Sequence, residues 1–121
     1  MKFIKKDFDT DKGFAHALFF QLSDTSRELQ NGFLELCIRH LSHHPGQRHF
    51  SIGYRALELD KEVNGELYDV SVDIIFDNVA AFEKYSASKN YETFITESAG
   101  MFLGRVAYDS HVQVLIVPET A

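Results

Sequence analysis

Cysteine is nearly absent from the chain. Cys37 stands alone, so no intramolecular disulfide can form, and the sequence suits a reducing compartment, with the cytoplasm as the expected location. Long apolar runs are missing too. None approaches the ~18 residues that a membrane-spanning helix needs, and no apolar core follows the first basic residues, so no secretory leader is expected. Nor is there a basic cluster. Only Lys5 and Lys6 adjoin each other, Asp7, Asp9 and Asp11 follow at once, and the formal net charge is -6. Phosphate binding draws on clustered Lys and Arg whose counterion release supplies most of the affinity, which argues against a nucleic-acid partner.

What is present suits one soluble domain. A chain of 121 residues, 45% apolar and 25% charged, can bury roughly two thirds of the surface its unfolded form exposes around a single core. Its organising stretch is FAHALFFQL, residues 14–22. Phe14, Leu18, Phe20 and Leu22 share one alternating face with His16, while Ala15, Ala17 and Phe19 share the other. A strand apolar on both faces belongs inside a sheet and needs cover on each side.

Before it, residues 1–12 show no period and read as an N-terminal arm; the Asp7-x-Asp9-x-Asp11 spacing lacks the glycine and the terminal acid of a calcium loop, with Lys12 and Leu18 in those places. After it, Thr25 and Glu28 have capping-box spacing, and a helix is expected from near Ser26 with Leu29, Phe33, Leu36, Cys37, His40 and Leu41 on one stripe. Pro45-Gly46 closes it. Period two returns over 48–59 and again over 67–76, joined through Asn64-Gly65, a tight-turn pair. Tyr68, Val70, Val72, Ile74 and Phe76 are expected to share a face. Asp77 or Asn78 then caps a second helix, with Val79, Phe82 and Tyr85 on its apolar side and a break over 86–90 before Tyr91, Phe94 and Ile95. The β-branched run 112–117, closed by Pro118, is expected to be the last strand.

The order is strand, helix, strand, hairpin, strand, helix, strand. Right-handed crossovers fold it as an α+β domain over residues 13–117, with a tail over 118–121: a four-stranded antiparallel sheet in the order 4-1-3-2, two helices on one face. The other face keeps Ala15, Ala17, Phe19 and Ile75, too apolar to leave in water, and a homodimer covers it most simply.

His16 with Phe19-Phe20-Gln21-Leu22, the helix to Pro45-Gly46, the strand holding Gly53, and Tyr68 leading through Val72-Asp73-Ile74-Ile75-Phe76 to Val79, Phe82 and Tyr85 together resemble the stress-responsive α/β-barrel, or Dabb, family over roughly residues 13–117. The resemblance implies a ferredoxin-like βαββαβ monomer whose sheet joins a partner's in a dimeric α/β barrel, an architecture shared with small antibiotic-biosynthesis monooxygenases. Many members carry His-Pro-x-His in the second helix, where this chain has Ser88-Lys89-Asn90-Tyr91. In the polyketide-cyclase branch the second of those histidines moves a proton together with a tyrosine matching Tyr85. Tyr91 in its place is a poor base near neutrality, since an unperturbed phenol titrates at ~10, so cyclase activity does not carry over directly.

Seven positions make up the candidate set. His16 and Tyr85 are the candidate catalytic pair, with Tyr68, Val70 and Tyr91 shaping a pocket between helices and sheet; the alternative for His16 is a buried imidazole that ties sheet to helix. Arg55 and Asp73 are expected inside the dimer barrel, paired within or between subunits. His40, His43 and His44 have a spacing that can share a metal, but no cysteine or carboxylate accompanies them, and a helix C-terminus favours such side chains anyway. No metal or cofactor is expected. Cys37, on the apolar stripe, is packing. Two functions fit: a dimeric stress-associated protein that binds a small apolar or aromatic molecule, or a cofactor-independent cyclase or monooxygenase-like enzyme using His16 and Tyr85 on an aromatic or polyketide-like substrate.

Overall fold

The computed structural model describes residues 13–59 and 68–115; the N-terminal arm with its Asp7–Asp11 run, the Asn64-Gly65 turn and the C-terminal tail lie outside the described residues. Four strands, β1 (Gly13–Leu22), β2 (Gln47–Tyr54), β3 (Val70–Phe76) and β4 (Phe102–Val112), form one sheet, and three helices, α1 (Arg27–Leu41), α2 (Val79–Ser86) and α3 (Lys89–Glu97), connect them. The strands lie in the order β2-β3-β1-β4 with every neighbouring pair antiparallel. This is the expected 4-1-3-2 arrangement, with β1 and β3 in the middle.

The core lies between the sheet and the helices. Phe14, Leu18, Phe20 and Leu22 from β1 meet Val70, Val72, Ile74 and Phe76 from β3, covered by Phe33, Cys37 and Leu41 of α1, Tyr85 of α2 and Phe94 of α3. Phe20 is the hub: its ring centroid is 4.8 Å from that of Phe33 and 5.1 Å from that of Phe102, both edge-on, the arrangement the aromatic quadrupole favours. The hydroxyl-bearing and amide caps set the helix starts. Ser26, one residue beyond the expected Thr25, accepts from the Leu29 amide, and Asn78 accepts from Ala81. Gly46, at φ +84°, is required where the chain leaves α1, because a Cβ there would sit 2.6 Å from the Ala81 Cβ.

Ser88 breaks the second helix where expected. Its hydroxyl donates to the Tyr85 carbonyl (2.7 Å) and accepts from the Tyr91 amide (3.1 Å), so one side chain ends α2 and starts α3.

Three expectations about the strands need correction. β2 stops at Tyr54, and a short 3-10 turn, Leu57–Leu59, follows it. Strand β3 begins at Val70 rather than at 67, because the Asp69 carboxylate takes the Leu22 amide (2.8 Å) and bends the chain there. The last strand is Phe102–Val112, not 112–117; residues 113–115 are outside any strand. Backbone pairing decides its place: β4 runs along the whole of β1, from Gly13 opposite Val112 to Leu22 opposite Phe102, satisfying a row of donors and acceptors that β-branched propensity alone does not. Gly100, at φ +85°, turns the chain from α3 into it.

In an antiparallel pair, residues directly opposite point to the same face. The helix side of β4 therefore carries Arg105, Ala107, Asp109 and His111, opposite Phe20, Leu18, His16 and Phe14. Its outer side carries Val106, Tyr108 and Val112 with Ser110. The polarity of β4 is inverted relative to β1.

Candidate acid-base site

His16 is the one polar residue in the inward row of β1, and the register sets Asp109 directly across from it. The His16 Nδ1 and the Asp109 Oδ1 are 2.5 Å apart. With the carboxylate accepting, the proton lies on Nδ1, and Nε2 is the nitrogen left to exchange a proton with a ligand. The His16 side chain is 8% exposed and that of Asp109 44%, so the pair runs from the core to solvent along the β4 edge.

An aromatic wall stands beside it. The Phe82 ring is 4.8 Å and the Tyr85 ring 6.4 Å from the His16 imidazole, centroid to centroid. Tyr85 lies in turn 5.4 Å from Tyr91 and 4.9 Å from His44. The Ser88 break holds both tyrosines, one at the end of α2 and one in the first turn of α3. Burial pushes the Tyr85 phenol above its ordinary 10.0, with Tyr91 and Cys37 adding to the rise and the Arg105 charge opposing it. At neutral pH Tyr85 is a hydrogen-bond donor, not a base. From β4, Arg105 Nη1 donates to the Tyr91 hydroxyl at 3.5 Å.

Of the residues singled out from sequence, His16, Tyr85 and Tyr91 come together here. Val70 does not join them; it is fully buried, opposite Phe20. Tyr68, expected beside Val70, lies on the outer face, its ring 5.0 Å from that of Phe19 and under the Arg55 guanidinium at 5.9 Å, because the bend at Asp69 ends the alternation. Asp73 of β3 and Arg55, the residue after β2, both lie toward the outer face, but the Arg55 amide bonds the Asp69 carbonyl (3.2 Å) and Ser51 stands opposite Asp73. Four residues of strand, roughly 13 Å, separate the two positions.

The three histidines at the end of α1 each have a separate partner. His40 Nε2 reaches Glu97 Oε1 of α3 (3.3 Å), His43 Nδ1 meets Ser42 Oγ (2.8 Å), and His44 Nε2 donates to the His40 carbonyl (2.7 Å). Among the described residues no group of three His, Cys, Asp or Glu side chains could hold a metal ion. Burial pushes the Cys37 thiol up to about 12, which keeps it protonated and unreactive.

Asp109 and Arg105 were not singled out from sequence. A signal existed, since residues 105–112 alternate apart from Ser110, with Arg105, Ala107, Asp109 and His111 at the odd positions and Val106, Tyr108 and Val112 at the even ones. On the outer face a groove of about 640 Å³ is lined by Phe19, Gln21, Tyr68, Val106 and Tyr108, with Gly104 and Arg105 at its border. No helix among the described residues is long and apolar enough to cross a membrane.

Sheet order, helix placement and connectivity together define a ferredoxin-like α+β fold. The chain shares it with a Dabb family protein from Mesorhizobium loti MAFF303099 (TM-score 0.67, 18% identity, covering 89% of this chain and 98% of that one). It also shares it with a dimeric ferredoxin-like protein of unknown function from Thermobifida fusca YX (TM-score 0.67, 18% identity, 83% and 91% covered) and with hydroxynitrile lyase from Passiflora edulis (TM-score 0.70, 14% identity, 88% and 99% covered). At these identities the likeness is one of fold. No family model matches the chain, and no curated protein matches it in sequence.

Proposed function

We propose that the protein is a homodimer that holds a small apolar or aromatic molecule in the cleft between β4 and the α2–α3 corner, and that His16 exchanges a proton with it without a cofactor. The observation that carries this is the His16–Asp109 hydrogen bond. A histidine whose second nitrogen is fixed by a carboxylate has its ring orientation and tautomer set, as a general acid or base requires. Tyr85, protonated and beside it, supplies a donor for a developing oxyanion. The dimer covers the outer face, where Ala15, Ala17, Phe19 and Ile75 continue into Val106 and Tyr108, the last 62% exposed in the single chain. A dimeric protein and a lyase among the proteins of like fold support both halves of the reading. The cytoplasmic location and the stress-associated role expected from sequence belong to the same proposal.

A direct assay is exchange of the α-protons of phenylacetone in heavy water. The wild-type protein accelerates it and His16→Gln loses the acceleration. Equal exchange in both proteins removes His16 from the chemistry. The second reading, binding without turnover, is favoured by the depth of His16 and by Ser88–Tyr91 standing where many Dabb proteins have two histidines. Under that reading His16→Ala lowers the melting temperature, and native mass spectrometry still finds a co-purified ligand.

A further inference from the structure

Arg105 lies in the row that faces the helices, where β1 and β3 place only apolar side chains apart from His16. Its guanidinium has five N–H donors, and among the described residues the one hydrogen bond it makes is the long one to the Tyr91 hydroxyl. Among the described residues it takes part in no ion pair. It is an exposed cation in a chain of net charge -6, beside two tyrosines whose rings are 5.4 Å apart and tilted by 31°. Its charge reaches Tyr85, whose phenol it pulls back toward ionisation.

The helix-facing row of β4 has two unlike ends. Arg105 is at one and the Asp109–His16 pair at the other, four residues or roughly 13 Å apart along the strand. Between them is Ala107, exposed and with the smallest side chain in the row. Tyr91, tied to Arg105, and Tyr85, next to His16, form the wall over this interval. A ligand lying along it meets a fixed cation, then a small-residue floor under aromatic rings, then the imidazole. Asp109 repels an anion from the far end, so the orientation is set by charge.

Building on the acid-base reading above, we infer that the ligand is a small aromatic or apolar carboxylate, its carboxylate received by Arg105 and its other end presented to His16. The guanidinium fork matches a carboxylate in two parallel hydrogen bonds, and the Tyr91 hydroxyl lies 3.5 Å from Nη1. Arg105 is a specificity residue in this arrangement and takes no part in proton transfer.

Phenylpropionate and phenylpropionamide, alike in shape and differing in charge, test it by NMR titration of the full-length protein at millimolar concentration. The carboxylate binds about tenfold tighter than the amide, Arg105→Gln abolishes that preference, and the His16 ring signals move with both probes. Equal affinity for the two in the wild type, or a preference that survives Arg105→Gln, overturns the carboxylate assignment and leaves the site standing. If neither probe perturbs His16 or Tyr91, the site itself is wrong and the inference falls with it.

Discussion

β1 and β4 lie side by side in the sheet and divide its work in opposite ways. Facing the helices, β1 shows Phe14, Leu18, Phe20 and Leu22, all buried, whereas β4 shows Arg105, Ala107, Asp109 and His111, all exposed. On the outer side both are partly apolar, through Ala15, Ala17 and Phe19 in one and Val106 and Tyr108 in the other. Burying a large apolar side chain stabilises by about 2 kcal/mol, so β1 is the strand that fixes the fold. Beyond Phe102, which packs on Phe20 and Phe33, the inward row of β4 is polar and exposed and contributes little to the core. His16 is where the two patterns meet, a polar group in an apolar row that finds its partner across the strand boundary.

The sharpest break between the strands is at the opposed pair Phe20 and Arg105. Phe20→Ala should cost about 3–5 kcal/mol, because its ring is enclosed by Phe33, Phe94 and Phe102, and Arg105→Ala, across the ladder, about 0.5 kcal/mol or less; urea unfolding of both variants measures the contrast. Asp109→Asn tests the junction. Proton exchange with phenylacetone should fall about 10- to 100-fold, and stability should change by less than about 1 kcal/mol because the carboxylate is partly in solvent. A loss confined to stability would make the pair structural.

Ser88→Ala removes a cap and a helix stop at once and should cost about 1 kcal/mol. As the chain contains no tryptophan, tyrosine fluorescence reads the accompanying shift of Tyr85 and Tyr91. Cys37, on the helix that covers β1, gives the smallest effect near neutrality. Its thiol is raised from 9.0 to about 12 in the folded chain, so the unfolded chain loses its proton first and stability falls as pH rises from 9 toward 12. At pH 10 the loss is about 1 kcal/mol, and Cys37→Ala should flatten the slope, leaving the part that Tyr85 contributes in the same direction.

Sequence made the apolar half of this comparison plain. Alternation in 14–22, the α1 stripe, the cap at Asn78 and the break before Tyr91 all depend on local periodicity, and each has its counterpart in the structure. β4 was obscured because its inward row is polar, so it has no buried face for a hydrophobic pattern to reveal, and the β-branched run after it drew the strand ten residues too far along. That displacement also hid the carboxylate of His16, since Asp109 is adjacent only through a register with β1 set 93 positions away in sequence. Tyr68 was assigned to the wrong face for a related reason: the bend at Asp69 depends on a contact with Leu22, which no local pattern records.

Cover of the outer face by a second copy is the central claim of the proposed function, since it explains the apolar side of β4 and leaves the polar side for a ligand. Sedimentation equilibrium in dilute solution measures it directly. The wild-type chain should sediment at twice its own mass and Tyr108→Asp at the single-chain mass with its circular dichroism unchanged; a folded wild-type chain sedimenting as a monomer would contradict the account.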